Sequence, residues 1–293
     1  MSDHDTVAAA GAADVRARLV AEVEAALEGG PAVAVATVID AGEQGGLQLG
    51  AKLLVRAAGS TLGDLGAAAI DEAAAAAGLE ALSARPRIEA QTVYVRADGD
   101  LVVRRSRARP GDARLMLEVF EAPGRLLIVG GGHIGLALAT IGATLGFQVT
   151  VVDDREEFAN RERFPMASEV IAGEVDEELD ALAIDGRTYA VMVSRGHQVD
   201  ELALRHTIGR GAAYVGMIGS RRRTGTVIQH LLDEGLPRED LEAVRTPIGL
   251  DIGAETPEEI ALAILAEMVM LQRGGSGAPM REVKGRAPAG QAT

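Results

Sequence analysis

The chain has 293 residues, of which 47% are hydrophobic and 25% charged, enough for two domains that each bury a core. Its 43 acidic residues outnumber its 29 Lys and Arg, giving a formal net charge of −14, and a broad acidic surface disfavours nucleic acid and anionic membrane as partners. There is no cysteine, which excludes disulfides, thiolate metal sites and a thiol nucleophile, so a ligand must be held by oxygen, nitrogen or backbone. No apolar run approaches the ~20 residues that span a bilayer, and no basic segment leads into an apolar one at the amino terminus; a cytoplasmic location is expected.

In chain order, residues 13–27 show helical apolar spacing, and 31–39 form a β-branched run that reads as a strand. A glycine-rich loop over 42–50 leads to a second strand over 51–55, and the alanine content of 62–77 predicts a helix. Residues 87–95 and 101–104 flank Asp98 and Gly99, a dipeptide that closes tight hairpins, and 114–120 makes another strand. Residues 1–122 are therefore expected to be a small α+β domain.

From Arg125 the pattern changes to alternating strands (126–129, 148–152, 190–193, 213–218) and helices beginning near Ile134, Asp176, Val199 and Thr224. This predicts an α/β domain over 123–273, a Rossmann-like doubly wound parallel sheet. The last helix is well marked: Thr256 offers an N-cap, Pro257 a first helical residue and Glu259 a capping-box partner. Residues 274–293, rich in Gly, Ser, Pro and Ala, read as a disordered tail.

The stretch LLIVGGGHIGLALATIGATLGFQVTVVDD, residues 126–154, is strand, glycine turn, helix and strand. In Gly130-Gly131-Gly132-His133-x-Gly135 the backbone N–H groups can point at a phosphate, and the missing Cβ atoms let it approach. Asp153 ends the next strand, where a carboxylate can accept from ribose hydroxyls and argues against the extra phosphate of NADP. Asp154 faces the other side and reads as a solvated or Arg-paired carboxylate. His133 either lines the ligand pocket or caps local backbone.

Two other strand ends should open on the same carboxyl edge: Ser194, Arg195, Gly196 and His197 with Asp200 beyond them, and Gly219, Ser220, Arg221 and Arg222 followed by Arg223. Several guanidiniums at one edge of an acidic protein suit a polyanion, because Arg presents a bidentate fork to phosphate. The alternative for Arg221 and Arg222 is a solvated helix start. His197 reads as a ligand contact or capping group rather than a general base, since no paired nucleophile is evident; no catalytic residue is assigned.

Five segments carry a family resemblance: Gly130-Gly-Gly-His-Ile-Gly135, residues 152–165 (VDDREEFANRERFP), Ser194-Arg-Gly-His197, residues 214–223 (YVGMIGSRRR) and residues 247–260 (PIGLDIGAETPEEI). In that order they resemble the XdhC/CoxI family of xanthine dehydrogenase accessory proteins. Residues 50–55 and 59–63 extend the resemblance more weakly into the first domain. The resemblance implies a protein that binds molybdenum cofactor (molybdopterin, in mono- or dinucleotide form), protects it while its terminal sulfur is installed, and delivers it to a molybdenum hydroxylase of the xanthine or carbon monoxide dehydrogenase type. A cysteine desulfurase as further partner and homo-oligomeric assembly belong to the same expectation.

The departures lie in the first domain. Where family members carry a Ser-Pro-Arg-rich stretch, this chain has residues 44–49 (QGGLQL); where they carry a cysteine, it has Ala67 to Ala69 with Ile70 and Asp71. Lys52 is the charged residue of that pattern left to touch an anion. Two hypotheses from different classes remain: a cofactor-binding maturation chaperone, and an NAD(P)-dependent oxidoreductase with His197 and Tyr214 as weak acid–base candidates. A nucleotide-binding regulatory protein is a third.

Overall fold

The computed structural model describes residues 3–84 and 88–283. The chain divides into two compact units, one built mainly from residues up to Ala122, the other from Pro123 to Leu271.

The first unit is an antiparallel sheet of six strands in the order β3-β2-β1-β6-β4-β5, where β1 is Val33–Asp40, β2 Lys52–Arg56, β3 Thr61–Gly63, β4 Ala90–Val95, β5 Leu101–Val102 and β6 Ala113–Phe120. The central strand β1 is buried on both faces, and its period-2 alternation sorts them. Ala34, Ala36 and Val38 join Ile70, Ala74 and Ala81 of α2 (Ala68–Ser83); Val33 and Val35 join Leu19 and Ala26 of α1 (Asp3–Leu27).

The alanine-rich helix starts later than composition suggests. Leu62 belongs to β3, and Gly63 and Gly66 have φ of +88° and +105°, which no right-handed helix accommodates. Asp71 then accepts from the Leu65 N–H at 2.8 Å and ties the loop to the first turn of α2. The hairpin at Gly99 (φ +85°) forms between β4 and β5, β4 being shorter than expected and Arg87 lying outside the described residues. α1 begins earlier than expected, at Asp3.

The second unit is a parallel sheet of five strands in the order β11-β10-β7-β8-β9: β7 Arg125–Val129, β8 Gln148–Asp153, β9 Glu169–Ala172, β10 Thr188–Met192 and β11 Tyr214–Met217. From β7 the chain winds first toward β9, then returns to the other side of β7 for β10 and β11. The crevice between the carboxyl ends of β7 and β10 is thus the point where strand order reverses. Leu126, Ile128, Val149 and Val151 face a core completed by α3 (His133–Thr144) and α8 (Pro257–Arg273). Leu127, Val129, Val152 and Met192 face the opposite core, under α4 (Val175–Ala181), α5 (His197–Arg205) and α6 (Arg221–Asp233).

Between β8 and β9 the chain runs through an irregular loop, residues 154–168, rather than a helix. Fully buried Phe164 anchors it, and Arg161 donates to the carbonyls of Ala167 at 2.5 Å and Ser168 at 2.7 Å. β9 and the five-residue α7 (Arg238–Glu242) go beyond the elements expected from sequence.

The capping box of α8 is complete: Glu259 N–H donates to Thr256 Oγ1 at 3.2 Å, and its carboxylate accepts from the N–H groups of Thr256 and Glu255 at 3.0 and 2.8 Å. Within the expected tail, Met280–Glu282 forms one 3₁₀ turn, and 284–293 lie outside the described residues. Among the described residues no helix is long and apolar enough to cross a membrane.

Candidate functional site

The turn after β7 gives each glycine a separate task. Gly130 has φ +116°, and a Cβ there would stand 2.7 Å from the Ser194 backbone nitrogen, so its bareness lets the ends of β7 and β10 approach. A Cβ on Gly131 would stand 2.0 Å from the Phe158 carbonyl oxygen, and one on Gly135 2.0 Å from that of Gly130; neither position admits a side chain without moving backbone. Gly132, the N-cap of α3, differs. Its φ of −66° is ordinary, it offers no side-chain cap, and nothing lies within 4 Å of where its Cβ would be. The open direction at the start of the helix belongs to Gly132, where the first-turn N–H groups have no intrahelical partner. His133 is the first residue of that helix and is exposed.

Asp153 does not wait free for a ribose. Its side chain is 2% exposed, and each oxygen accepts two hydrogen bonds: Oδ1 from the Arg155 N–H at 3.1 Å and Nε at 2.9 Å, Oδ2 from the Gly131 N–H at 2.8 Å and Arg155 Nη2 at 3.0 Å. That satisfies the acceptor capacity of a carboxylate. Burial pushes the Asp153 carboxyl up, but the Arg155 fork and the two amides outweigh it and hold it below its ordinary value; the same pairing pushes Arg155 up. Asp154 is exposed, 3.5 Å from Arg155 Nε, in keeping with an Arg-paired surface carboxylate.

The 154–168 loop brings further charge to the turn. Arg155 lies 4.0 Å above the Phe158 ring, Arg195 5.5 Å and Arg163 5.6 Å from it, a cation–π cluster of three guanidiniums on one aromatic side chain. Arg163 also donates through Nε to the Gly131 carbonyl at 3.0 Å, while its Nη2 is buried without a hydrogen-bond partner.

After β10, Ser194 uses its hydroxyl locally, donating to the Gly196 carbonyl at 3.0 Å and accepting from the Gly196 N–H at 3.3 Å. Buried Asp200 accepts from the Ser194 N–H at 3.1 Å and closes the turn into α5. His197 begins α5; its side chain lies outside the described residues.

The carboxyl ends of β7, β8 and β10 enclose a cleft of about 210 Å³ at the strand-order reversal. Val129, Val152, Val175 and Val199 supply apolar walls, and Gly130, Asp153, Asp154, Arg155 and residues 194–196 supply the polar ones. Five of the residues expected from sequence therefore meet here: Gly130, Asp153, Ser194, Arg195 and Gly196; Gly131, Gly132, His133 and Gly135 belong to the adjoining turn and helix start and do not line the cleft. Gly219, Ser220, Arg221 and Arg222 do not line the cleft, because β11 lies one strand beyond β10. There Gly219 has φ +151°, Ser220 caps α6 by accepting from the Arg223 N–H at 3.4 Å, and Arg221 and Arg222 are exposed on its first turn. Arg155 and Phe158 are the site residues that sequence reasoning missed. The available signal was an arginine two residues beyond a strand-end aspartate.

Two further expectations find their place, those for Tyr214 and Lys52. Tyr214 is buried and donates to Glu267 Oε2 at 2.5 Å, an oxygen that also accepts from the Gly249 N–H at 3.1 Å. Burial, then Glu267, push its phenol far above the ordinary tyrosine value, so it is a structural donor rather than an acid. Lys52 donates to Thr37 Oγ1 at 2.7 Å. Among the described residues, Glu201, His230 and Glu234 come close enough to share a cation, but Arg205 already pairs with Glu201 at 3.2 Å and Glu234 at 2.6 Å, supplying the positive charge itself.

Comparison with known proteins adds to this geometry. The family model described as the XdhC Rossmann domain matches residues 126–268, and that of the XdhC and CoxI family matches residues 10–94. The chain is 31% identical over 231 residues to the uncharacterized protein YqeB of Escherichia coli, covering 78% of this chain and 42% of that protein. It is 29% identical over 159 residues to a Bacillus subtilis protein described as a probable xanthine dehydrogenase subunit, covering 54% and 46%. The chain thus spans less than half the length of these curated relatives. A crystal structure of a xanthine dehydrogenase from Bacillus halodurans shares the fold, with TM-score 0.51 at 18% identity over 89% of this chain and 98% of that one. With one family model on each unit, in the order in which the chain folds them, the protein belongs to the XdhC/CoxI family.

Proposed function

We propose that this protein is an accessory factor that binds molybdenum cofactor and assists its maturation and insertion into a molybdenum hydroxylase of the xanthine dehydrogenase type. Family membership supports the accessory role, together with the xanthine dehydrogenase association of the Bacillus subtilis relative. The observation that carries cofactor binding is the open direction at Gly132, beside three glycines packed against backbone or in a left-handed conformation. One position of the turn is left clear at the start of α3, which is where a phosphate docks.

The residues fit a phosphorylated pterin. Gly132 and the first turn of α3, which follow the cleft-lining Gly130 in the chain, would hold the phosphate, with Arg155 and Arg195 on the cleft to neutralise it and the four valines to face the ring. The cleft is smaller than the ~300–1,000 Å³ of sites that enclose a drug-sized ligand, which suits one moiety with the remainder lying over the mouth. When bound, the group carries the metal and its terminal sulfur to the client; this chain holds it, orients it and lets it go. An NAD(P)-dependent dehydrogenase would need a proton carrier beside the nicotinamide; of its two candidates Tyr214 is committed to Glu267, and the side chain of His197 lies outside the described residues.

The test is gene deletion with assay of molybdenum hydroxylase activity in the native host, paired with calorimetric titration of the pure protein with a phosphorylated pterin. Loss of hydroxylase activity and measurable binding are expected. Full activity in the deletion strain, or steady NADH turnover by the pure protein, refutes the reading.

A further inference from the structure

In a dinucleotide-binding fold the acidic residue ending the second strand accepts from a ribose diol. Here Asp153 occupies that position with both oxygens taken, and the group at the cleft's surface is its partner Arg155, one-third exposed, forked onto Asp153 and resting on Phe158. A guanidinium has five donors and no acceptor. A hydroxyl pair arriving there finds every lone pair of Asp153 already taken, whereas a phosphate finds a planar donor that matches it. Arg195, on the same cleft and the same aromatic ring, forms no ion pair among the described residues and adds a second cation. The competing acceptor is Asp154, exposed on the rim 3.5 Å from Arg155 Nε.

We infer that Arg155 is a specificity-determining residue: by covering Asp153 it makes the cleft select ligands carrying a phosphomonoester at the end of β8 over ligands presenting a free vicinal diol there. The inference rests on the cleft being the ligand site of the proposed function, and it narrows the class of ligand.

The experiment titrates the full chain, at low salt, with adenosine 2′,5′-bisphosphate and with adenosine 5′-monophosphate, which differ at the ribose hydroxyl that a dinucleotide-binding fold directs to the end of the second strand. Wild type is expected to bind the bisphosphate at least about 10-fold more tightly, the scale of one charge-assisted bidentate contact. Arg155→Ala should weaken the bisphosphate by about 10-fold and tighten the monophosphate, because Asp153 is uncovered. Equal or tighter monophosphate binding by wild type, or a monophosphate affinity unmoved in folded Arg155→Ala, overturns the inference, as does failure of wild type to bind either probe. Should the alanine variant not fold, Arg155→Lys keeps the charge without the fork, and an unchanged ratio in that variant is equally fatal. A parallel arm compares a phosphorylated pterin with its dephosphorylated form. Bisphosphate preference without pterin binding leaves this inference standing and removes the pterin reading; pterin phosphate binding with the monophosphate preferred does the reverse.

Discussion

Adjacent glycines in the turn after β7 should fail in opposite ways when given the same methyl group. In Gly131→Ala the new Cβ would lie 2.0 Å from the Phe158 carbonyl oxygen and 3.3 Å from its Cβ, so the turn or the 154–168 loop must shift. The shift also disturbs the Gly131 N–H bond to Asp153, 2.8 Å long in the native turn. Overpacking against backbone costs about 1–3 kcal/mol, and weakening a hydrogen bond to a buried carboxylate adds to it. For a unit of this size each kcal/mol is worth roughly 2–4 °C, so a melting midpoint lowered by about 4–10 °C is expected. In Gly132→Ala the Cβ meets nothing within 4 Å, and φ of −66° suits any residue, so the fold should lose only the few tenths to about 1 kcal/mol that separate Gly from Ala at an N-cap. That methyl instead stands where a phosphate would approach the helix start, and affinity for a phosphorylated pterin should fall by about 10-fold or more. Thermal denaturation and calorimetric titration of both variants read the two effects separately. Comparable destabilisation by the two, or undiminished binding by Gly132→Ala, would refute the division of labour.

Three other perturbations test neighbouring parts of the argument. Asp153 is held below its ordinary value in the folded chain, so its contribution is complete above the unfolded value near 4 and is lost as pH falls through the lower folded one; Asp153→Asn should flatten the acid limb of the stability curve, and an identical acid limb in the variant contradicts the pairing. If Arg221 and Arg222 guide an anion from their exposed helix start, changing both to Gln should weaken binding and reduce its salt dependence, while unaltered affinity at every ionic strength makes them solvated surface. Tyr214→Phe removes the donor to Glu267 and should cost about 1–3 kcal/mol with ligand affinity unchanged; a fall in affinity at constant stability would place Tyr214 in the site.

The parallel strands were legible because strands buried on both faces are short continuous apolar runs, and those of β7, β8 and β10 are bounded by glycine or charge. β9 was not, since its four residues are half exposed at the sheet's edge. The misplaced start of α2 has another cause: alanine content reports helix propensity, while Gly63 and Gly66 at positive φ decide where the chain can begin a helix. At the site, the shared carboxyl edge could be read from the alternation of elements, but the order of strands could not. That order separates Arg221 and Arg222 from Arg195, although each follows a strand end. Asp153 was found by its position, and its partner was not, because a fork from residue i+2 back onto residue i depends on a loop conformation set by Phe164 and Arg161 farther along.

The arrangement also explains how an acidic chain keeps several arginines at one place before any ligand arrives. Three guanidiniums around Phe158 repel one another, and a flexible loop would let them part. Arg155 is retained by Asp153 and Arg163 by the Gly131 carbonyl, while Arg195 meets the ring from the turn that Asp200 closes. The ring supplies the remaining attraction through its face without contributing a negative charge that a phosphate would have to displace. Both tethers end on Gly131 or on the carboxylate that binds its N–H, so the glycine turn, Arg155 and Arg163 form one hydrogen-bonded unit. A site ordered in advance loses less entropy when it binds, which lets a small cleft hold a phosphate firmly with few contacts. Few contacts are also what release requires. Under the proposed function, in which the ligand is handed to another enzyme, charge-assisted bonds at an open rim would serve better than deep enclosure, because a competing site can replace them one at a time.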